Sequence, residues 1–194
     1  QKYILYIEKI FNNSPVVSYK SIKRLISDKK GVKQYTKQLI RNLIAKKKIK
    51  RLTKGFYTIH DESSLAVFCF KPSYLGLQDA LSFHNFWEQE TIPIIITTRK
   101  IRNGLRKILG TNVIIKRINR KYFFGYNYEK EGNFFLPYSD IEKTFIDMIY
   151  FNEKISKEVR ENIKKRGDKK KLIKYLKIYP KTFKERVLKI ISEI

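Results

Sequence analysis

Cysteine appears once in these 194 residues, at position 69. The chain can therefore form no internal disulfide and no cysteine-built zinc site, and this usage suits the cytosol. Cys69 stands between Phe68 and Phe70 and reads as a small core residue. Histidine is nearly as scarce, with only His60 and His84. Asp79 lies five residues before His84, the wrong spacing for a metal pair on one helix face. His84 shares its stretch with core residues, so a buried, hydrogen-bonded role is expected. Long apolar runs are missing too: Ile92 to Ile96 suits a buried strand, far short of the roughly 20 residues of a membrane span. The opening Gln-Lys-Tyr-Ile lacks the charged-then-apolar pattern of a signal peptide. Nucleophile elbow, P-loop and zinc-ligand spacing are all absent. No cofactor, metal or membrane is called for, and catalysis is not expected.

Acidic residues are the other shortage: 18 Asp and Glu stand against 43 Lys and Arg, a formal charge of +25. The imbalance is uneven. Residues 1–60 carry 16 basic and 2 acidic groups, 61–150 carry 12 and 10, and 151–194 carry 15 and 6. A generally lysine-rich composition would not spare the middle. Clustered basic surface attracts polyanions.

What is present centres on Gly31 to Ile59. At about 100° per residue, Val32, Thr36, Leu39 and Leu43 fall on one helix face, with Gln34, Lys37, Arg41 and Lys48 opposite. Ile49 and Leu52, set among basic residues, lead to a Thr53-Lys54-Gly55 turn, and Phe56 to Ile59 returns as a second strand. Upstream, residues 2–11 fit a helix with Tyr3, Ile4, Ile7, Ile10 and Phe11 inward. Val16-Val17 suits a short strand, and Ser18 suits the N-cap of a helix over 19–27. Asp28 to Gly31 makes the turn, where glycine can take a positive φ. Helix, short strand, helix, turn, helix and basic hairpin together predict a winged helix-turn-helix.

Residues 60–64 form a polar break, taken as the domain boundary. Beyond it the pattern predicts a helix over 76–86, a strand over 92–98, and a basic loop with a helical turn over 99–109. Further strands are expected over 113–118, 121–126 and 133–136, then a helix capped by Ser139 or Asp140 and running to about 151. Near-unbroken apolar runs point to a sheet covered by helices. The tail reads as two or three helices, divided at Gly167-Asp168 and Tyr179-Pro180. The expected class is α+β. The domains are a winged helix-turn-helix over 1–60, an α+β sheet-and-helix domain over 61–152, and a helical tail over 153–194 packed on or extending the second domain.

Several short motifs follow one another. A hairpin ending Lys54-Gly55-Phe56-Tyr57 is followed by Tyr74-Leu75-Gly76-Leu77-Gln78-Asp79-Ala80-Leu81-Ser82-Phe83-His84. Next come Ile96-Thr97-Thr98-Arg99, Phe123-Phe124-Gly125-Tyr126 and Ile141-Glu142-Lys143-Thr144-Phe145-Ile146-Asp147. This succession resembles the AbiEi family of type IV antitoxins over about residues 1–152, departing from it at Ile141, where proline is usual, and at Asn85, where glycine commonly follows the histidine. The resemblance implies a winged domain that binds operator DNA, in inverted repeats, and represses its own operon. It also implies a second domain that opposes a nucleotidyltransferase-like toxin.

Gln34, Lys37, Gln38 and Arg41 are the expected base readers, since glutamine pairs with adenine and arginine with guanine. Lys33, Lys48, Lys50, Arg51 and Lys54 are expected at phosphates. Tyr19, Lys20 and Ser21 begin the preceding helix, where side chains and backbone NH groups could hold another. Tyr57 is expected to pack the hairpin onto the helices. A nuclease-like cluster of Glu142, Lys143 and Asp147 is disfavoured: Glu142 and Asp147 lie about 140° apart on the wheel, while Lys143 and Asp147 suit an i, i+4 ion pair. The alternatives to an autoregulating antitoxin are a stand-alone regulator without a toxin, a nuclease using the middle domain, and an RNA-binding protein. The last lacks RRM and KH signatures.

Overall fold

The computed structural model describes residues 2–26 and 31–192. The expected turn residues Asp28 to Lys30 lie outside them. The chain divides into two compact units, Gln1–Cys69 with Lys107–Thr111, and Phe70–Arg106 with Asn112–Ile194. The architecture is α+β.

The first unit runs α1 (Lys2–Asn13), β1 (Val17–Ser18), α2 (Tyr19–Leu25), α3 (Val32–Ala45), β2 (Lys50–Thr53) and β3 (Phe56–Thr58). The strands form an antiparallel sheet in the order β1-β3-β2. Apolar residues at helical spacing close the core: Ile7 and Phe11 from α1, Ile22 from α2, Ile40 and Leu43 from α3, with Ile49 and Tyr57 from the hairpin. Ser18 caps α2, its Oγ accepting the Ser21 NH at 3.1 Å. Gly31, at φ 70°, caps α3 in the left-handed region open to glycine.

The boundary expected at residue 60 falls instead after Cys69. A 3-10 helix, Ser63–Cys69, buries Leu65, Ala66, Val67 and Cys69 and lies against β2 of the first unit.

Beyond Cys69 the chain continues with β4 (Ser73–Leu75), α4 (Leu77–Phe83), β5 (Ile94–Thr97), β6 (Gly104–Ile108), β7 (Thr111–Arg117), β8 (Tyr126–Glu131) and β9 (Phe134–Ser139), of which Lys107–Thr111 alone group with the first unit. Four helices follow: α5 (Ile141–Tyr150), α6 (Lys157–Arg166), α7 (Lys169–Leu176) and α8 (Lys181–Ser192). The sheet order is β6-β7-β5-β4-β9-β8. β5 pairs in parallel with β7, and β4 in parallel with β9, while β4–β5 and β8–β9 are antiparallel. One core joins Tyr74, Ile96, Phe145 and Ile149 to Val159, Leu172, Leu176, Tyr179 and Val187, so the tail helices help build the unit.

Three local expectations change. Residues 104–108 are a strand rather than part of a loop, and Ser73–Leu75 is a buried strand that the pattern left unassigned. Residues 121–126 are not one strand. A 3-10 turn, Arg120–Tyr122, precedes Phe123 and Phe124, and β8 starts only at Tyr126. Gly125 makes that break at φ 72°, where a Cβ would stand 2.9 Å from Lys143 Cβ.

Candidate nucleic-acid interface

Helix α3 contains no acidic residue. Thr36, Ile40 and Leu43, one helical face, are buried. Thr36 removes its own polar penalty by donating from Oγ1 to the Val32 carbonyl at 2.6 Å. The opposite face carries Lys33, Gln34, Lys37, Gln38 and Arg41, all exposed. With Gly31 and Val32 they line one concave surface of about 670 Å³. All four expected base readers therefore share a single solvent-facing surface. Gln38 Nε2 donates to Asn42 Oδ1 at 3.1 Å one turn on. Asn42 was not singled out in the sequence, although its i+4 spacing from Gln38 and i+8 from Gln34 places it in the same row.

Tyr19 joins three parts of this unit. Its backbone NH donates to the Gly55 carbonyl at 2.8 Å, at the hairpin turn. Its hydroxyl donates to the Lys33 carbonyl at 3.3 Å, in the first turn of α3. The side chain expected at a phosphate thus braces the hairpin and α3 against α2. The Ser21 NH is engaged by the Ser18 cap and the Tyr19 NH by Gly55, so neither backbone group is left for an anion. Lys20 is exposed.

The remaining phosphate candidates separate. Lys54 is exposed at the hairpin tip, and Arg51 is exposed with its Nε donating to the Thr53 carbonyl at 3.4 Å. Lys50 pairs with Asp61, itself 87% exposed, a surface contact of small worth. Lys48 departs from the expected face. Helical geometry ends at Ala45, Lys47 takes φ 55°, and Lys48 turns to Glu8 of α1 at 3.1 Å. Helical periodicity does not reach Lys48, three residues beyond the end of α3. Tyr57 packs in the core, and burial raises its hydroxyl pKa against the opposing pull of Arg51.

In the second unit, Glu142 and Asp147 diverge. Asp147 and Lys143 form a fully buried ion pair. Tyr74 donates its hydroxyl to Asp147 Oδ2 at 2.6 Å, Lys143 Nζ donates to the Tyr179 hydroxyl at 3.3 Å, and Nζ lies 5.0 Å from the Phe124 ring centre. Burial pushes Lys143 down and Asp147 up, and their mutual attraction opposes both shifts. Glu142 instead accepts the Asp168 NH at 2.7 Å and pairs with Lys171 at 3.2 Å. Lys171 also reaches Asp140 at 3.0 Å; burial lowers its pKa, but these two carboxylates together outweigh that and hold it up. His84 is half-buried, its Nε2 2.8 Å from the Ser139 carbonyl. No group of three or more His, Cys, Asp or Glu that could hold a metal occurs among the described residues. No helix of the described residues is long and apolar enough to cross a membrane.

No protein-family model matches the sequence, and no curated protein matches it. Among solved structures, the chain is similar to the crystal structure of the RV2827C protein from Mycobacterium tuberculosis. The TM-score is 0.62 at 11% identity, over 99% of this chain and 77% of that one. At that identity the likeness is one of fold.

Proposed function

We propose that the first unit is a winged helix-turn-helix and that the protein is a sequence-specific DNA-binding repressor. The observation that carries this reading is α3: an acid-free helix whose outward face is Lys33, Gln34, Lys37, Gln38 and Arg41, all exposed, with its other face in the core. Such a helix suits the major groove, where amides and guanidinium groups distinguish bases. The β2–β3 hairpin is the wing, with Arg51 and Lys54 at phosphates. The resemblance to AbiEi antitoxins extends the proposal: an autoregulated operon in the cytoplasm, and a second unit that counteracts a nucleotidyltransferase-like toxin.

A salt titration on operator and random duplexes tests the mechanism. Arg41→Ala should lose about 1–3 kcal/mol on the operator and much less on random DNA. Lys54→Ala should weaken both alike and flatten the log affinity against log salt plot by about one unit. Equal losses for Arg41→Ala on both duplexes would sink base reading by α3. Rescue of cells from a co-expressed toxin tests the antitoxin half. Intact promoter binding without rescue would favour a stand-alone regulator.

A further inference from the structure

Several carboxylates of the second unit are matched to particular lysines. Asp147 holds Lys143, Asp140 and Glu142 hold Lys171, and Glu153 holds Lys116. The neighbouring helices carry acidic residues among their basic ones: Lys157 faces Glu161 in α6, and Lys181 faces Glu185 in α8, each at 3.9 Å. Helix α7 is the exception. Its sequence, KKKLIKYL, contains no acidic residue. Leu172 and Leu176 are buried, and Lys171 turns inward to its two carboxylates. Lys170, Lys174 and Lys177 are exposed. At spacings i, i+4 and i+7 they share one face. None of the three has a carboxylate within ion-pair distance among the described residues.

We propose that this lysine row on α7 is a second nucleic-acid-binding face that takes the phosphate backbone of a duplex. Seven residues of helix advance about 10 Å. Over that length one strand of a duplex presents several phosphates, one per about 3.4 Å of axis. Lysine ammonium groups act at phosphates as point charges, with none of the bidentate geometry that reads bases. The row therefore contributes affinity and salt dependence without sequence preference. It stands on charges of the second unit alone and does not depend on base reading by α3.

The test uses the full chain and fluorescence anisotropy on a random-sequence duplex across a salt series. The triple variant Lys170→Gln, Lys174→Gln, Lys177→Gln should shallow the log affinity against log salt slope by about two to three units, near 0.9 per lost phosphate contact. At low salt it should lose at least about tenfold in affinity. The corresponding triple arginine variant should restore both. A control, Lys157→Gln with Lys181→Gln, removes two lysines that already face glutamates and should leave the slope in place. Circular dichroism should be unchanged throughout, because all the altered side chains are exposed. An unchanged slope in the triple glutamine variant overturns the proposal, and so does an equal change in the control. Poly-glutamate is a parallel arm: a loss confined to it would assign the face to an acidic protein and overturn the duplex reading. The α3 proposal fails separately, through equal Arg41→Ala losses on operator and random DNA.

Discussion

The most demanding side chains are Lys143 and Asp147, two opposite charges with no solvent contact. Removing one partner of such a pair typically costs about 3–5 kcal/mol, because the other charge is left uncompensated, whereas replacing the whole network with apolar groups can be nearly neutral. Asp147→Ala should therefore destabilise the second unit by that amount. Lys143→Met with Asp147→Leu and Tyr74→Phe should recover most of it in urea melts. A triple variant as unstable as the single one would show that the network does more than satisfy itself. Asp79 sets a pH dependence. It is half-buried, and burial pushes its carboxyl up to about 7, with Glu131 adding and the Ile94 NH and Thr91 hydroxyl opposing. An unfolded aspartate ionises near about 4. Between those values the folded chain keeps a proton that the unfolded chain has lost, so this group's contribution to stability falls as pH rises from about 4 to about 7 and is level beyond. Asp79→Asn should remove that slope. The check is the wild-type minus variant difference between pH 5 and pH 8; an equal pH response in both would rule out Asp79 as its source.

At the scale of elements, periodicity carried most of the reading. The order of helices and strands in the first unit was legible because each helix has a clear apolar stripe and the breaks carry Asn, Pro and Gly. The outward face of α3 followed from the same wheel. Three kinds of error have physical causes. Lys48 was misplaced because a wheel has no knowledge of where a helix ends. The strand Gly104–Ile108 was missed because four of its five residues are exposed, giving no alternation. The Phe123-Phe124-Gly125-Tyr126 motif looked like a strand because aromatic residues favour strands; its φ and its crowding against Lys143 are tertiary facts. The hydrogen bonds of Tyr19 and the partner choice of Lys171 were likewise invisible without coordinates. Gly125 supplies a prediction for this scale. Gly125→Ala combines a left-handed φ, at about 1–3 kcal/mol, with a Cβ 3.1 Å from Tyr175 Cε2. Gly132→Ala has a similar φ of 57° but open space. Thermal melts should show the larger loss at position 125, and equal losses would mean that Lys143 and Tyr175 yield easily.

Across the whole molecule, the two units use the sequence differently. Among the described residues, the charges of the first 60 sit on surface elements around a small core, and the tail combines exposed lysines with side chains that complete the larger core. Leu172 and Leu176 come from α7, Tyr179 from the link after it and Val187 from α8. A chain shortened after Tyr179 should lose the cooperative melt of the second unit, although it removes only the last 15 residues. Unchanged melting would show that α8 is dispensable. The same arrangement has a consequence for synthesis. As the chain leaves the ribosome, residues through Cys69 emerge before the second unit, and the apolar face of α5 and the Lys143–Asp147 pair wait for helices α6 to α8, which follow them in the chain. Throughout that interval the nascent protein carries its basic first unit while the core of the second is incomplete. A premature stop before α8 would leave that core without Val187.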